Sequence, residues 1–110
     1  MKSEQIYLHS ILDSIKQIEE YTKVGHDDFI AFRYWQDAIV RQLINIGEAV
    51  KHVTPASRKS HPEIAWQKIS GLQDVLTHDY LETDYEMVWI IAVNDLNTLK
   101  TTVEELLSWY

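Results

Sequence analysis

The sequence contains no cysteine, and this absence removes several classes of chemistry at once. Disulfide scaffolds, thiolate zinc sites and cysteine nucleophiles are excluded, because each of them requires a cysteine sulfur. No uninterrupted apolar run approaches the ~18 residues that a membrane-spanning helix needs. The first residues, Met1 to Gln5, lack the apolar centre of a signal peptide. We therefore expect a soluble, cytoplasmic protein with no attachment to a membrane.

Glycine, proline and basic residues are also scarce. Three glycines and two prolines in 110 residues leave few turn signals, which favours long helices. Ten lysines and arginines against 17 aspartates and glutamates give a net charge of −7. This balance argues against broad, charge-driven binding of nucleic acid, but it permits a small local RNA site and suits a partner with a basic face. The length is that of one domain, residues 1–110.

Apolar residues recur at intervals of three and four, which predicts an all-α fold without strands. We expect four main helices, over residues 3–23, 28–53 (kinked near 32–35), 62–77 and 84–110, with Thr83 or Asp84 as the N-cap of the last. The short joints between them favour an antiparallel four-helix bundle. Gly47 lies in the middle of the second helix, where glycine costs about 1 kcal/mol relative to alanine. The usual reason is a close approach by another helix, and we expect one here.

Residues 71–80 gather an unusual number of polar side chains beside apolar ones. His78 is the candidate for proton transfer, because an unperturbed imidazole titrates near neutrality. Asp74 lies four residues earlier, so on a helix its carboxylate can orient the ring and fix its tautomer. The ordinary alternative is a histidine that meets the free carbonyls at a helix end. Gln73 precedes His78 by five residues, about 140° around an ideal helix. Either the helix loosens before His78, or the two side chains meet in a cleft shared with a second chain.

A second carboxylate–imidazole pair is formed by Glu48 and His52, which also lie four apart. Such a pair can contribute to a metal site, but a site needs further ligands. The sequence offers no Glu-x-x-His pattern and no second matching pair, so we expect no metal here.

Several motifs along the whole chain resemble one known family. Residues 37–49, with Gly47-Glu48-Ala49, are similar to a helix of the HepT-like proteins, and residues 62–72 are similar to the helix that follows. His78-Asp79-Tyr80, then Asp84 and Val88-Trp89, continue the pattern in register. HepT-like proteins are HEPN-domain toxins encoded beside a minimal nucleotidyltransferase (MNT) antitoxin. The resemblance implies a HEPN-like bundle that acts as a symmetric homodimer and cuts RNA without a metal or another cofactor.

The family's active-site pattern is an arginine, four to six residues, histidine, one residue and tyrosine. The spacing fits position 73, His78 as the acid or base, and Tyr80, but position 73 is Gln and position 74 is Asp where the family often has Asn. Asp74 would tune His78, and Glu48 or Asn45 would line the cleft from the second helix. The resemblance also implies that the MNT antitoxin neutralises the toxin by adenylylating Tyr80.

Glutamine carries no charge with which to stabilise a phosphate in the transition state, so we expect impaired cleavage. Gln73 is either a natural loss or an inactivating substitution. Two rival functions remain open at this point. One is a catalytically inactive binding module, and the other is a nucleotide-binding accessory subunit of the nucleotidyltransferase.

Overall fold

A computed structural model describes residues 2–78 and 82–110, and this part of the chain is helical without strands. The helices are α1 (Lys2–Tyr21), α2 (His26–Ala31), α3 (Arg33–Val50), α4 (Pro55–Ser60), α5 (Trp66–Ser70), α6 (Leu72–His78), α7 (Tyr85–Ile90) and α8 (Leu96–Leu107). The expectation of an all-α fold is confirmed. None of these helices is both long enough and apolar enough to cross a membrane.

The core lies between α1, α3 and α8, the three longest helices. Each directs an apolar stripe inward, and these stripes are completed by side chains from α2 and α7. The largest fully buried side chains among the described residues are Leu8, Ile11, Ile15, Ile18, Phe29, Ile39, Leu43, Ile46, Val50, Val88, Leu99 and Leu106. Burying a side chain of this size stabilises the fold by roughly 1.5–3 kcal/mol.

α1 runs antiparallel to α3, as ring contacts at both ends show. Near its start Tyr7 stacks on His52, with ring centroids 3.9 Å apart, and at its end Tyr21 meets Trp35. α1 also runs antiparallel to α8, because Glu19 near the end of α1 pairs with Lys100 at 2.9 Å, while the Tyr110 hydroxyl, just after α8, donates to Glu4 near the start of α1. The antiparallel arrangement of neighbouring helices that the short joints predicted is therefore present.

The second predicted helix is two helices. The chain becomes extended at Phe32 (φ −122°, ψ 121°), so the kink expected near residues 32–35 is a complete break between α2 and α3. The predicted end at residue 53 is also wrong, because α3 ends at Val50. The Arg58 guanidinium donates to the Val50 and Val53 carbonyls at 2.7 and 3.1 Å. These bonds give partners to carbonyl groups that would have accepted intrahelical hydrogen bonds if α3 had continued.

The third predicted helix begins later than expected. Helix α5 starts at Trp66 rather than at Pro62, and Gly71 separates it from α6. The Trp66 side chain is buried, and its indole N–H donates to the His61 carbonyl at 3.0 Å and to the Arg58 carbonyl at 3.2 Å. This anchorage holds the segment before Trp66 in a turn, where the sequence pattern alone had predicted helix.

The last helix is nearly continuous from Tyr85 to Leu107. Asp84 is its N-cap, since the carboxylate accepts from the Met87 N–H at 3.2 Å, and that prediction is confirmed. Its middle is a π-helical turn, Ile91–Asp95, which the apolar spacing did not reveal. Such turns insert one extra residue and redirect the side chains around them.

Candidate active site

α6 carries Gln73, Asp74 and His78, and the α5–α6 backbone comes close to α3 at Gly47. A Cβ atom at Gly47 would lie 3.0 Å from the Ile69 carbonyl oxygen and 3.1 Å from the Gln73 nitrogen. Only glycine therefore fits at this crossing without displacement, which confirms the close approach expected from its position. Leu76 is buried on the inner side of α6 and helps to fix the rotation of the helix.

Gln73 lies at the start of α6, next to the end of α3. The Lys51 ammonium donates to the Gln73 amide oxygen at 2.6 Å. The same ammonium lies 3.6 Å from a Glu48 carboxylate oxygen. Glu48, predicted to line the site, thus joins Gln73 through a lysine, whereas Asn45 is exposed on α3.

Asp74 and His78 belong to the same unbroken helix, so they have the four-residue helical spacing that was predicted. Asp74 is exposed to solvent. His78 is the last residue of α6, but its side chain lies outside the described part of the structure. The whole of Tyr80 also lies outside that part. Because the helix runs without interruption to His78, the first alternative for the Gln73–His78 offset, a loosened helix, is wrong. The offset of about 140° around the axis remains.

The second carboxylate–imidazole pair is not assembled. His52 lies beyond the end of α3, and its ring stacks on Tyr7 with an interplanar angle of 8°. Glu48 faces Lys51 instead. Within residues 2–78 and 82–110, no three side chains of metal-ligating type come together.

Two surface depressions border α6. The smaller, about 170 Å³, lies between Val75, the segment 82–84 that leads into α7, and Met87 on α7. The larger, about 360 Å³, lies between α5 and the π-helical turn and is lined mainly by apolar side chains such as Ile69 and Ile90. Neither is lined by Gln73 or Asp74. Gln73 and Asp74 therefore lie outside both depressions, with Gln73 partly buried and Asp74 exposed.

Lys51 is the residue that sequence reasoning missed. A signal for it was present, because Lys51 follows Gly47 by four residues. Residues four apart share one face of a helix, and Gly47 marked that face as the one approached by a second helix. In the structure, α6 is the helix that brings a polar side chain, Gln73, within reach of Lys51.

A comparison with protein-family models matches residues 11–106 to the family described as ribonuclease HepT-like. A Thermococcus cleftensis protein named "Probable ribonuclease HepT" is 34% identical over 106 residues, which are 96% of this chain and 96% of that protein. A Methanocaldococcus jannaschii protein named "Gamma-glutamylcyclotransferase and putative RNase" is 36% identical over 103 residues. Those residues are 93% of this chain but only 46% of that protein, so the likeness covers less than half of it. No solved structure matches this chain.

Proposed function

Because this chain belongs to the ribonuclease HepT-like family, we propose that it is a metal-independent endoribonuclease and the toxin of a toxin–antitoxin pair, acting in the cytoplasm. The observation that carries the proposal is the unbroken helix α6, which bears Gln73, Asp74 and His78 at the spacing of the family's active-site pattern. The exposure of Asp74 adds support, because a site for a polymeric substrate must be open.

The chemistry follows from the substrate itself. RNA carries its own nucleophile, the ribose 2′-hydroxyl. His78 accepts the proton of that hydroxyl as its oxygen attacks phosphorus, or donates a proton to the departing 5′-oxygen. The P–O5′ bond breaks, and the products are a 2′,3′-cyclic phosphate and a free 5′-hydroxyl. Asp74, one helical turn before His78, orients and tunes the imidazole.

We further propose that two copies of the chain form the working site. Side chains at positions 73 and 78 of a regular helix point about 140° apart, so one chain presents only one of them to a given phosphate. A second copy related by two-fold symmetry would supply the other. Val75, between these positions, is 49% exposed and lines one depression with Met87, which is 43% exposed; Met87 also lines the second depression with Ile90, which is 51% exposed. Such an apolar patch beside the polar cluster is suited to burial between two copies.

Tyr80 is proposed as the acceptor of an adenylyl group from an MNT-type nucleotidyltransferase antitoxin. AMP attached two residues after His78 would place bulk and negative charge where the RNA phosphate must lie. Incubation with the partner and ATP is expected to add AMP mass to the peptide that contains Tyr80. A chain with Tyr80→Phe that gains the same mass would exclude this residue as the acceptor.

A binding module without nuclease activity is the second candidate, and Gln73 is the observation that favours it. Position 73 would hold a cation in the family's pattern, and its side chain here is a neutral amide. Removing a donor that stabilises charge in a transition state typically costs about 2.7–4 kcal/mol. A chain that keeps the fold but has lost this much stabilisation would still bind the antitoxin.

The test is RNA cleavage by the purified protein in excess chelator, with three versions compared. These are the given sequence, Gln73→Arg, and Gln73→Arg combined with His78→Ala. We expect Gln73→Arg to cleave faster than the given sequence and the His78→Ala combination to lose cleavage. Absence of cleavage by all three versions on varied RNAs would contradict the nuclease and support the binding module.

A further inference from the structure

The end of α3 presents a cation to position 73. The Lys51 ammonium lies 2.6 Å from the Gln73 amide oxygen, and the contact joins residues 22 apart in sequence. It is therefore not a product of local helix geometry but of the way α6 is seated at Gly47. The Lys51 side chain is 40% exposed, so its charged end still reaches solvent.

We propose that Lys51 and Gln73 together form a binding site for a phosphate group of an RNA strand. Lys51 supplies the positive charge that the side chain at position 73 does not carry. The inference rests on the proposed function, because it takes RNA as the ligand, and it adds a residue outside the family's active-site pattern. It also means that the neutral side chain at position 73 does not leave the site without a cation.

The hydrogen-bond donors at this site fit such a ligand. An ammonium has three N–H donors. One is directed to the Gln73 oxygen, and the Glu48 carboxylate at 3.6 Å is too distant for a strong hydrogen bond. Gln73 accepts through its oxygen, so the two N–H donors of its amide point to the other side of that group. A phosphate at the Lys51–Gln73 edge can receive donors from both side chains.

The charges nearby predict how strong this site is. Glu48 lies beside Lys51, and Asp74 is exposed next to Gln73. These carboxylates partly offset the ammonium, so one phosphate contact is expected rather than an extended basic surface. Binding should therefore be weak and sensitive to salt. Removing the Glu48 charge should strengthen it.

A purely structural role for Lys51 predicts different results. Lys51 directly follows the last residue of α3, where a cation interacts favourably with the helix dipole. In that case its replacement would lower stability without a specific effect on RNA. The experiment must therefore measure binding and folding in the same variants.

The probe is a short fluorescent RNA of mixed sequence in which every ribose carries a 2′-O-methyl group, so that it binds without being cut. Its affinity is measured by anisotropy for the intact chain, Lys51→Met, Lys51→Arg, Glu48→Gln and Lys16→Met. Lys16 is an exposed lysine on α1 and serves as the matched control. Circular dichroism melting of each variant monitors the fold.

We expect Lys51→Met to weaken binding roughly fivefold at about 50 mM salt. The slope of log affinity against log salt should fall in magnitude by about 0.7, because that is the contribution of one phosphate contact on a single strand. Lys51→Arg should preserve binding, Glu48→Gln should strengthen it, and Lys16→Met should have no effect. Should Lys51→Met melt early, a titration of the intact chain decides the question. The NMR signals of the Gln73 side-chain amide should then shift on addition of the RNA.

Equal affinity and slope for Lys51→Met and Lys16→Met would overturn the inference, as would no measurable binding by the intact chain. The cleavage assay separates this failure from that of the proposed function. Cleavage that needs His78 but is unchanged in Lys51→Met would retain the nuclease and reject the phosphate site. Binding that needs Lys51, without cleavage by any version, would retain the phosphate site and reject the nuclease.

Discussion

Replacement of Gly47 by alanine tests whether the backbone contact between α3 and α6 positions the candidate site. The new Cβ would lie 3.0 Å from the Ile69 oxygen and 3.1 Å from the Gln73 nitrogen. Non-bonded heavy atoms prefer about 3.5 Å or more. Both neighbours are backbone atoms, so the α5–α6 segment must move by roughly half an ångström.

The two opposing contributions can be compared. Overpacking of this kind costs about 1–3 kcal/mol. Alanine recovers about 1 kcal/mol, because glycine is the poorer helix former. We therefore expect Gly47→Ala to lower the free energy of unfolding by about 1 kcal/mol, which lowers the melting temperature by roughly 4–8 °C in a domain of this size. Urea titration at fixed protein concentration, followed by circular dichroism, measures the loss.

Gly71→Ala is the matched control. Its nearest neighbours are at 3.4 and 3.5 Å, and its φ of −76° suits any residue. Alanine there should stabilise the protein by about 0.4–1 kcal/mol, because it lowers the conformational entropy of the unfolded chain. If both substitutions stabilise the protein equally, the crossing at Gly47 is not close enough to position α6 against α3.

Two further predictions concern pH. Burial alone would raise the pKa of the Glu4 carboxyl, but hydrogen bonds from Tyr110, Thr54 and Ser57 together lower that pKa below 4.5. The stability that Glu4 contributes is therefore complete above about pH 4.5 and is lost as pH falls through the folded-state pKa. Glu4→Gln should lower the free energy of unfolding by about 2 kcal/mol at neutral pH, measured by urea titration, and should make that free energy depend less on pH in the acid range. An unchanged acid transition would contradict this. The pKa of His26 is raised above 6.5, chiefly by its hydrogen bond to Glu86 and then by Asp27, so its contribution is complete below about pH 6.5 and disappears as pH rises through the folded-state pKa. NMR titration should show the His26 pKa falling toward 6.5 in Glu86→Gln, and identical curves would refute the pairing.

The features that followed from the sequence depend on contacts between near neighbours. The helical periodicity, the Asp84 cap and the spacing of Asp74 and His78 are all set within one or two turns of chain. Gly47 was informative for a different reason, because a glycine inside a helix is unfavourable unless something comes close.

The features that were missed depend on side chains distant in sequence. The end of α3 at Val50 is fixed by Arg58, and the start of α5 by the buried indole of Trp66. The π-helical turn Ile91–Asp95 leaves the apolar pattern intact on both sides and so gives no periodic signal. The partner of Lys51 was missed because Gln73 lies 22 residues away in the sequence.

The break at Phe32 divides what would be one long helix into α2 and α3, so α2 needs stabilising contacts of its own. α2 has six residues, too few to be stable alone. It is anchored to α7, also six residues, through Phe29 against Tyr85 and Trp89 and through His26 against Glu86. Because α2 depends on these contacts, we expect the protection of its amides from hydrogen exchange to require an intact α7.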